Sequence, residues 1–194
     1  FIIAERGITL QTPSAGSVGT SQLASNAVTA AKINDGEITN AKINSSAAIA
    51  TTKLGTGAVI QVVHQNLSPV TVNTGTATSC GSASITPTAT TSNILIFCNT
   101  VVHGNNADAA EYYDTRVTLS SATGTILSRL NDAMLYQVNM GNGFRQGANT
   151  SFIHSPASIS QQTYHLTAIR SGGSGSAIFN QNSAGNFVLM EIAG

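Results

Sequence analysis

Bulky aliphatic residues fall on every fifth position along the first part of the chain: Val18, Leu23, Val28, Ile33, Ile38 and Ile43. After a slip of one residue the rhythm resumes at Ile49, Leu54 and Val59. This spacing fits neither the helical period of about 3.6 residues nor the strand period of about 2. One helix would scatter these side chains around its whole surface, and one straight strand would throw them to alternate faces. A fixed odd spacing predicts a wound, repetitive shaft in which each short unit bends and returns an aliphatic to a common axis. A ten-residue layer is superimposed on it, Thr29-Ala30-Ala31-Lys32-Ile33 against Thr39-Asn40-Ala41-Lys42-Ile43. Lys32, Lys42 and Lys53 each precede an aliphatic and are expected to face outward. Only the Ala-rich stretch from Ser21 to Lys32 leaves room for a local helix.

Beyond the repeat the pattern changes to short runs separated by Gly, Asn, Ser and Pro. Val59 to Gln65, Val70 to Val72, Ser84 to Thr86 and Asn93 to Val102 read as strands, the last two as a hairpin about Pro87 to Ser92. Ile94 to Val102 is apolar on both faces and predicts a strand covered on both sides. Arg116 to Leu119 alternates, turns at Ser121 to Gly124 and returns at Ile126. Further strands are expected over Met134 to Met140, Ser151 to His154, Tyr164 to Arg170, Ala177 to Phe179 and Phe187 to Ile192, with the first and last strands side by side. The fold class that follows is all-β: an N-terminal repetitive trimeric shaft, then an antiparallel β-sandwich of jelly-roll type. The organisation is a lead or attachment segment over 1–17, the shaft over 18–57 and the sandwich over 58–194. Within the lead, Phe1 to Ile3 and Ile8 to Leu10 are expected to be short strands.

Composition sharpens this picture. Only 8 % of the 194 residues are charged, with eight basic and eight acidic side chains and no net charge. From Leu54 to Ala107 there is no Asp, Glu, Lys or Arg. A permanent oligomer tolerates so long an uncharged span better than a monomer does. No basic patch exists to neutralise phosphates, so nucleic acid is not an expected partner. No apolar run reaches the ~18 residues that would span a bilayer, so membrane insertion is not expected either. Cys80 and Cys98 are too few for a disulfide framework; buried thiols are the expectation and a hairpin-bridging disulfide the alternative.

The repeat from Asn26 to Ile43 resembles the shaft repeat of bacteriophage tail-fibre and virion fibre proteins. The remainder is similar to the β-rich tip domains attached to such shafts. That likeness is carried by Gly57 to Val62, by Ile85-Thr86-Pro87 ahead of Ser92 to Leu95, by Ser155-Pro156 ahead of Thr163-Tyr164, and by Leu189 to Ala193. The resemblance implies a homotrimer, a virion location on the tail or another surface appendage, and docking to other virion proteins through the N-terminal segment. It also implies a tumour-necrosis-factor-like jelly roll at the other end. It transfers no catalytic residue and no cofactor. The trimer axis is then expected to gather Val18, Leu23, Val28, Ile33, Ile38, Ile43, Ile49 and Leu54.

Candidate chemistry is sparse. His64, His103, His154 and His165 show no metal-ligand spacing. Asp108, Glu111 and Asp114 could hold calcium, but the ligand rhythm of a calcium loop is missing, and a solvated acidic loop is expected. Asp114 and Asp132 are the only carboxylates that could be paired for glycan cleavage, and no Ser-His-Asp arrangement can be assembled, so no enzyme activity is expected. Host-surface glycan or protein is the expected external partner. The candidate contacts are His103, Asn105, Asn106, Tyr112, Tyr113, Asn142, Phe144 and Asn182, because amides hydrogen-bond sugars and aromatic rings stack on them. The competing reading of the Asn and Gly positions is that they are simply turn residues. The alternative function is a structural decoration or connector protein of the capsid or tail without a receptor. A monomeric pentapeptide solenoid is a further alternative, but the repeat is too short to bury a core unaided.

Overall fold

The structure is a computed structural model that describes residues 13–44, 46–47, 49, 53–104, 112–134, 144–173, 175–183 and 185–194. The short strands expected over Phe1 to Ile3 and Ile8 to Leu10 lie outside them. The chain divides into two units, Phe1–Ile49 and Ala50–Gly194.

In the first unit the spacing of five has a backbone cause. The amides of Ser17, Gln22, Ala27, Lys32, Glu37, Lys42 and Ala47 each donate to the carbonyl three residues earlier, at 2.8–3.2 Å. Each unit is therefore one closed turn, and after the first six the next residue is the aliphatic; after Ala47 the slip of one residue moves it to Ile49. Leu23 and Ile33 are extended, at φ/ψ of −100°/114° and −111°/113°. Two kinds of turn alternate. One kind is the 3-10 helices Thr20–Gln22, Ala30–Lys32 and Asn40–Lys42. The other places Gly16, Asn26 and Gly36 at φ of +76°, +63° and +83°, a conformation that Gly and Asn adopt most readily. The alternation is the ten-residue layer seen in the sequence, and it is already running at Ser14, inside the lead segment. It also removes the local helix between Ser21 and Lys32, because Asn26 leaves the helical region.

Lys32 donates its Nζ to the Ala27 carbonyl at 2.7 Å, and Lys42 donates to the Glu37 carbonyl and, at 3.2 Å, to the Glu37 carboxylate. Both lysines are exposed, as expected, and each ties its turn to the one before. No aliphatic of the row is covered by its own chain. Val18, Leu23, Val28, Ile33, Ile38, Ile43, Ile49 and Leu54 are 38–58 % exposed.

The second unit is all-β among its described residues, apart from 3-10 backbone at Lys53 and at Gln181–Ser183. Its strands are β1 (Val59–Leu67), β2 (Val70–Val72), β3 (Thr78–Ile85), β4 (Asn93–Gly104), β5 (Tyr112–Leu119), β6 (Ile126–Met134), β7 (Phe144–His154), β8 (Gln162–Gly172), β9 (Ala177–Phe179) and β10 (Gly185–Ile192). They form a four-stranded sheet β3-β8-β5-β6 and a six-stranded sheet in which β1-β10-β4-β9-β2 is joined by β7 on the other edge of β4. The long strands pair as nested antiparallel couples, β1 with β10, β3 with β8, β4 with β7 and β5 with β6. A long ribbon rolled up in this way is a jelly roll. The first and last strands lie side by side, and β5–β6 is the hairpin that the alternation indicated.

Alternate residues of facing strands fill the interior: Ile94, Ile96, Cys98 and Val102 from β4, Tyr113 and Val117 from β5, Tyr164 and Leu166 from β8, Phe187 and Leu189 from β10. Each fully buried side chain of this size contributes roughly 1.5–3 kcal/mol. Tyr113 meets Phe179 edge-on, with ring centroids 5.8 Å apart, and donates its hydroxyl to the Val72 carbonyl at 3.3 Å.

Three expectations change. The segments around Ser84 and Asn93 are not a hairpin: β3 and β4 belong to different sheets, and Pro87 to Ser92 is the crossover between them. β4 is buried on one face only: on the other, Phe97 and Asn99 are exposed and Leu95 and Val101 half-buried. Met134 ends β6 rather than starting a strand, and 135–140 lie outside the described residues.

Cys80 and Cys98 are free thiols, buried in opposite sheets. Burial pushes the Cys80 thiol up to about 12 and raises Cys98 further. Since only thiolate reacts, both cysteines are expected to resist a thiol reagent in the native chain and to react in denaturant. A thiol that reacts rapidly in the folded protein would contradict this packing.

Candidate functional site

Strand register defines two ends of the sandwich. At one end Gly104 pairs with Phe144 and Ala177, Tyr112 with Gly172, and Tyr113 with Arg170 and Met134. The connections β4–β5, β6–β7 and β8–β9 all leave from this loop end. At the opposite root end Val59 pairs with Ile192, Asn93 with Ile192, Ile94 with His154, Ile85 with Gln162 and Thr118 with Ile126.

The loop end gathers three of the candidate contact residues by backbone position. His103 lies opposite Arg145 and Ile178 on the outer face of the six-stranded sheet. It is half-buried, and its Nδ1 has no hydrogen-bond partner among the described residues. Tyr112 opens β5 and packs its ring over Gly172, where an added Cβ would stand 2.7 Å from the Tyr112 ring. Phe144 opens β7. Tyr113 is different: it is fully buried and belongs to the core, so its side chain is not offered to a partner. Period-two alternation puts one of two adjacent tyrosines inside. Asn182 is exposed with φ +59°, but it sits between β9 and β10, midway along β4 and away from the loop end. Asn105, Asn106 and Asn142 lie outside the described residues.

Charge follows the same polarity. Asp114 accepts from Arg116 at 2.5 Å and from Arg129 at 2.9 Å. Its other oxygen, Oδ1, is buried without a partner among the described residues. A carboxylate clamped by two guanidinium groups is poorly suited to acid–base work or to calcium. Asp108 and Glu111 lie outside the described residues, and no group of three or more metal-ligating side chains occurs among the described ones. Arg170 donates to the Gly175 carbonyl at 2.7 Å and shapes the β8–β9 connection. His154 and His165 hydrogen-bond to Tyr164 and Ser79 at 2.9 Å each, and burial lowers the pKa of both.

Two organising residues escaped the sequence reading. Asn180 is fully buried at φ +56°. Its amide donates to the carbonyls of Cys80 at 2.6 Å and Ser68 at 3.2 Å, and its Oδ1 accepts from Thr100 at 2.9 Å. The Asn/Gly-rich stretch from Asn180 to Asn186 thus contains a structural pin beside the exposed Asn182. Glu191, also fully buried, accepts from the Thr88 amide and hydroxyl at 2.7 Å each, Ser92 at 2.6 Å and Gln61 at 2.5 Å. It clamps the Pro87–Ser92 crossover to β1 and β10. Its signal was in the sequence: Phe187, Leu189 and Glu191 alternate on one face, which places the carboxylate inside.

No family model matches the chain, and no curated protein matches it. Among solved structures, T=1 particles derived from infectious bursal virus match with a TM-score of 0.43 and 15 % identity, over 69 % of this chain and 32 % of that one. The T13 particle of the same virus, IBDV, matches at 0.39 and 14 %, over 71 % and 36 %. The VP2 subviral particle of infectious bursal disease virus matches at 0.39 and 12 %, over 69 % and 37 %. This chain therefore spans about a third of the length of those chains, and at TM-scores under 0.5 the likeness is too weak to carry a role across.

Proposed function

We propose that this chain is a homotrimeric phage virion fibre protein, a tail fibre or fibre tip, whose loop end contacts the host surface and whose N-terminal segment docks to other virion proteins. The observation that carries the reading is the uncovered row of aliphatics. Every large apolar side chain described in the repeat, from Val18 to Ile49, is at least 38 % exposed on its own chain, yet the backbone presents them at a constant interval. Water-exposed Val, Leu and Ile at a fixed spacing are what a multi-chain axis requires and what a lone solenoid forbids. The jelly roll and the fibre-type repeat of 26–43 agree with this reading. Receptor contact would then use Tyr112, His103 and the loops that leave beside them.

A second reading, a capsid or tail connector without a receptor, is favoured by Tyr113. Its burial removes one of the aromatics expected at the contact surface. The purified full chain is expected to have a native mass of three times 19.8 kDa and to bind saturably to cells of the bacterium that the particle infects. A trimer that does not adsorb, on a particle that attaches through another protein, leaves the connector reading. A monomer at micromolar concentration removes the fibre reading.

A further inference from the structure

Glu191 is a buried charge without a cation. It is fully buried, and its hydrogen bonds come from neutral donors: the Thr88 amide and hydroxyl, the Ser92 hydroxyl and the Gln61 side-chain amide. The ion pairs among the described residues lie elsewhere, at Glu37 and Asp114. Neutral dipoles hold the carboxylate in place but leave its net charge uncompensated, which is costly away from water.

Beside this carboxylate the root end of the sandwich opens a cleft of about 360 Å³, a size that holds a small ligand. Leu54, Ile60, Ala89 and Ala193 supply apolar lining, and Thr88, Thr91 and Ser92 supply hydroxyls, with a further one from Thr56. Ile60 is the extra residue of a β-bulge, since Val59 pairs with Ile192 and Gln61 with Glu191, and a bulge re-aims its side chain. The walls are tied by backbone. The Gly57 amide donates to the Ala193 carbonyl at 2.8 Å, the Ala193 amide to Ala58 at 2.9 Å and the Ser92 amide to Ala89 at 3.2 Å.

Three of the hydroxyls have already committed their protons. A carboxylate and a carbonyl only accept. Thr88 and Ser92 therefore donate to Glu191, and Thr91 donates to the Gly194 carbonyl at 3.2 Å. What these oxygens can offer an occupant is lone pairs. A lining that accepts, with an uncompensated negative charge one hydroxyl behind it, selects a positively charged donor. The apolar lining selects a hydrocarbon attached to it.

We propose that this cleft binds a primary alkylammonium group, its N–H bonds directed at the Thr88, Thr91 and Ser92 oxygens and its stem against Leu54, Ile60 and Ala193. Hydrogen bonds from a charged donor are roughly twice as strong as neutral ones. An anion would meet lone pairs backed by a like charge, and a neutral alcohol would gain the apolar contact without the charge. The chain's own cations leave the cleft free: Arg116, Arg129, Arg145 and Arg170 lie between mid-sheet and the loop end, and Lys53 is exposed and does not line it. The site belongs to the second unit alone and does not depend on the fibre reading.

Titration of n-butylammonium into the full chain at pH 7 tests it, with n-butanol as the neutral counterpart. Amide NMR shifts at Ala89, Ser92 and Ala193 are expected to saturate at millimolar butylammonium, and butanol is expected to bind about tenfold more weakly. Ala89→Leu fills the cleft without touching the Glu191 hydrogen bonds and is expected to abolish the shifts. Glu191→Gln removes the charge and is expected to weaken butylammonium binding about tenfold. Nα-acetyl-lysine methylamide separates two sources of the same group. Saturation at the same residues identifies a lysine side chain of a partner protein, and its exclusion identifies a free amine; the ammonium site stands in both cases. Equal binding of butylammonium and butanol, undiminished binding in Glu191→Gln, or no binding to the wild type overturns the site and leaves the fibre reading standing.

Discussion

Replacing Ile33 by aspartate is expected to convert the proposed trimer to monomers while leaving the sandwich folded. In the single chain Ile33 is 38 % exposed and makes no core contact of its own, so in a monomer the change would fall within about ±0.5 kcal/mol, as surface substitutions do. On a shared axis the same change removes three buried aliphatics, each worth roughly 1.5–3 kcal/mol, and gathers three carboxylates where none can be solvated. The two cases differ by many kcal/mol, which makes the substitution decisive. Ile33→Leu keeps the volume and is expected to cost less than about 1.5 kcal/mol. Native mass spectrometry and thermal melting of both variants read the difference. A trimer of undiminished stability in Ile33→Asp would mean that these side chains do not meet on an axis.

The repeat was legible because its cause is local. One four-residue turn and one extended residue make five, and the alternation of Gly16, Asn26 and Gly36 at ten-residue spacing is plain in the order of the residues. Strand existence was legible for the same reason, since period-two alternation needs only neighbours. Strand partners were not. β3 and β4 are close in sequence and strongly patterned, yet Ser84 pairs with Thr163, 79 residues on, and Leu95 with Met190, 95 residues on. The hairpin expected between them therefore became a crossover. The apolar outer positions of β4 misled for a related reason: Leu95 and Phe97 read as core, but they stand half-buried and exposed on the outer face of the sheet. Of the candidate contacts, the adjacent pair Tyr112 and Tyr113 could not both face outward, and the sequence alone did not say which was inside. Asn180 and Asn182 posed the same difficulty in a turn, where two identical side chains serve as a buried pin and an exposed loop residue.

Glu191→Gln is expected to destabilise the sandwich at neutral pH and to abolish one component of its acid sensitivity. Burial by itself would raise this carboxyl, but hydrogen bonds from Ser92, Gln61 and the Thr88 amide and hydroxyl outweigh burial and hold it below its usual 4.5. A group whose folded pKa is depressed contributes stability above its unfolded pKa and loses it as pH falls through the folded one. The contribution of Glu191 is therefore present above its usual 4.5 and is lost as the pH falls further. Glutamine keeps the shape but turns a donor toward donors, either at Gln61 or at the Thr88–Ser92 side, at a cost of about 1–3 kcal/mol. Glu191→Ala also empties the space and strands the Thr88 amide, which raises the loss to on the order of 3–4 kcal/mol, a large share of the 5–15 kcal/mol typical of a domain. Urea unfolding of the wild type and Glu191→Gln at pH 7 and pH 3 isolates the carboxylate from every other titrating group, because those are common to both proteins. The stability difference is expected to be largest at pH 7 and to shrink at pH 3. A difference that does not change with pH would show that the folded carboxyl titrates as the unfolded one does, and a wild-type advantage that grows at pH 3 would show that the crossover is held by a neutral carboxyl rather than by a charged one.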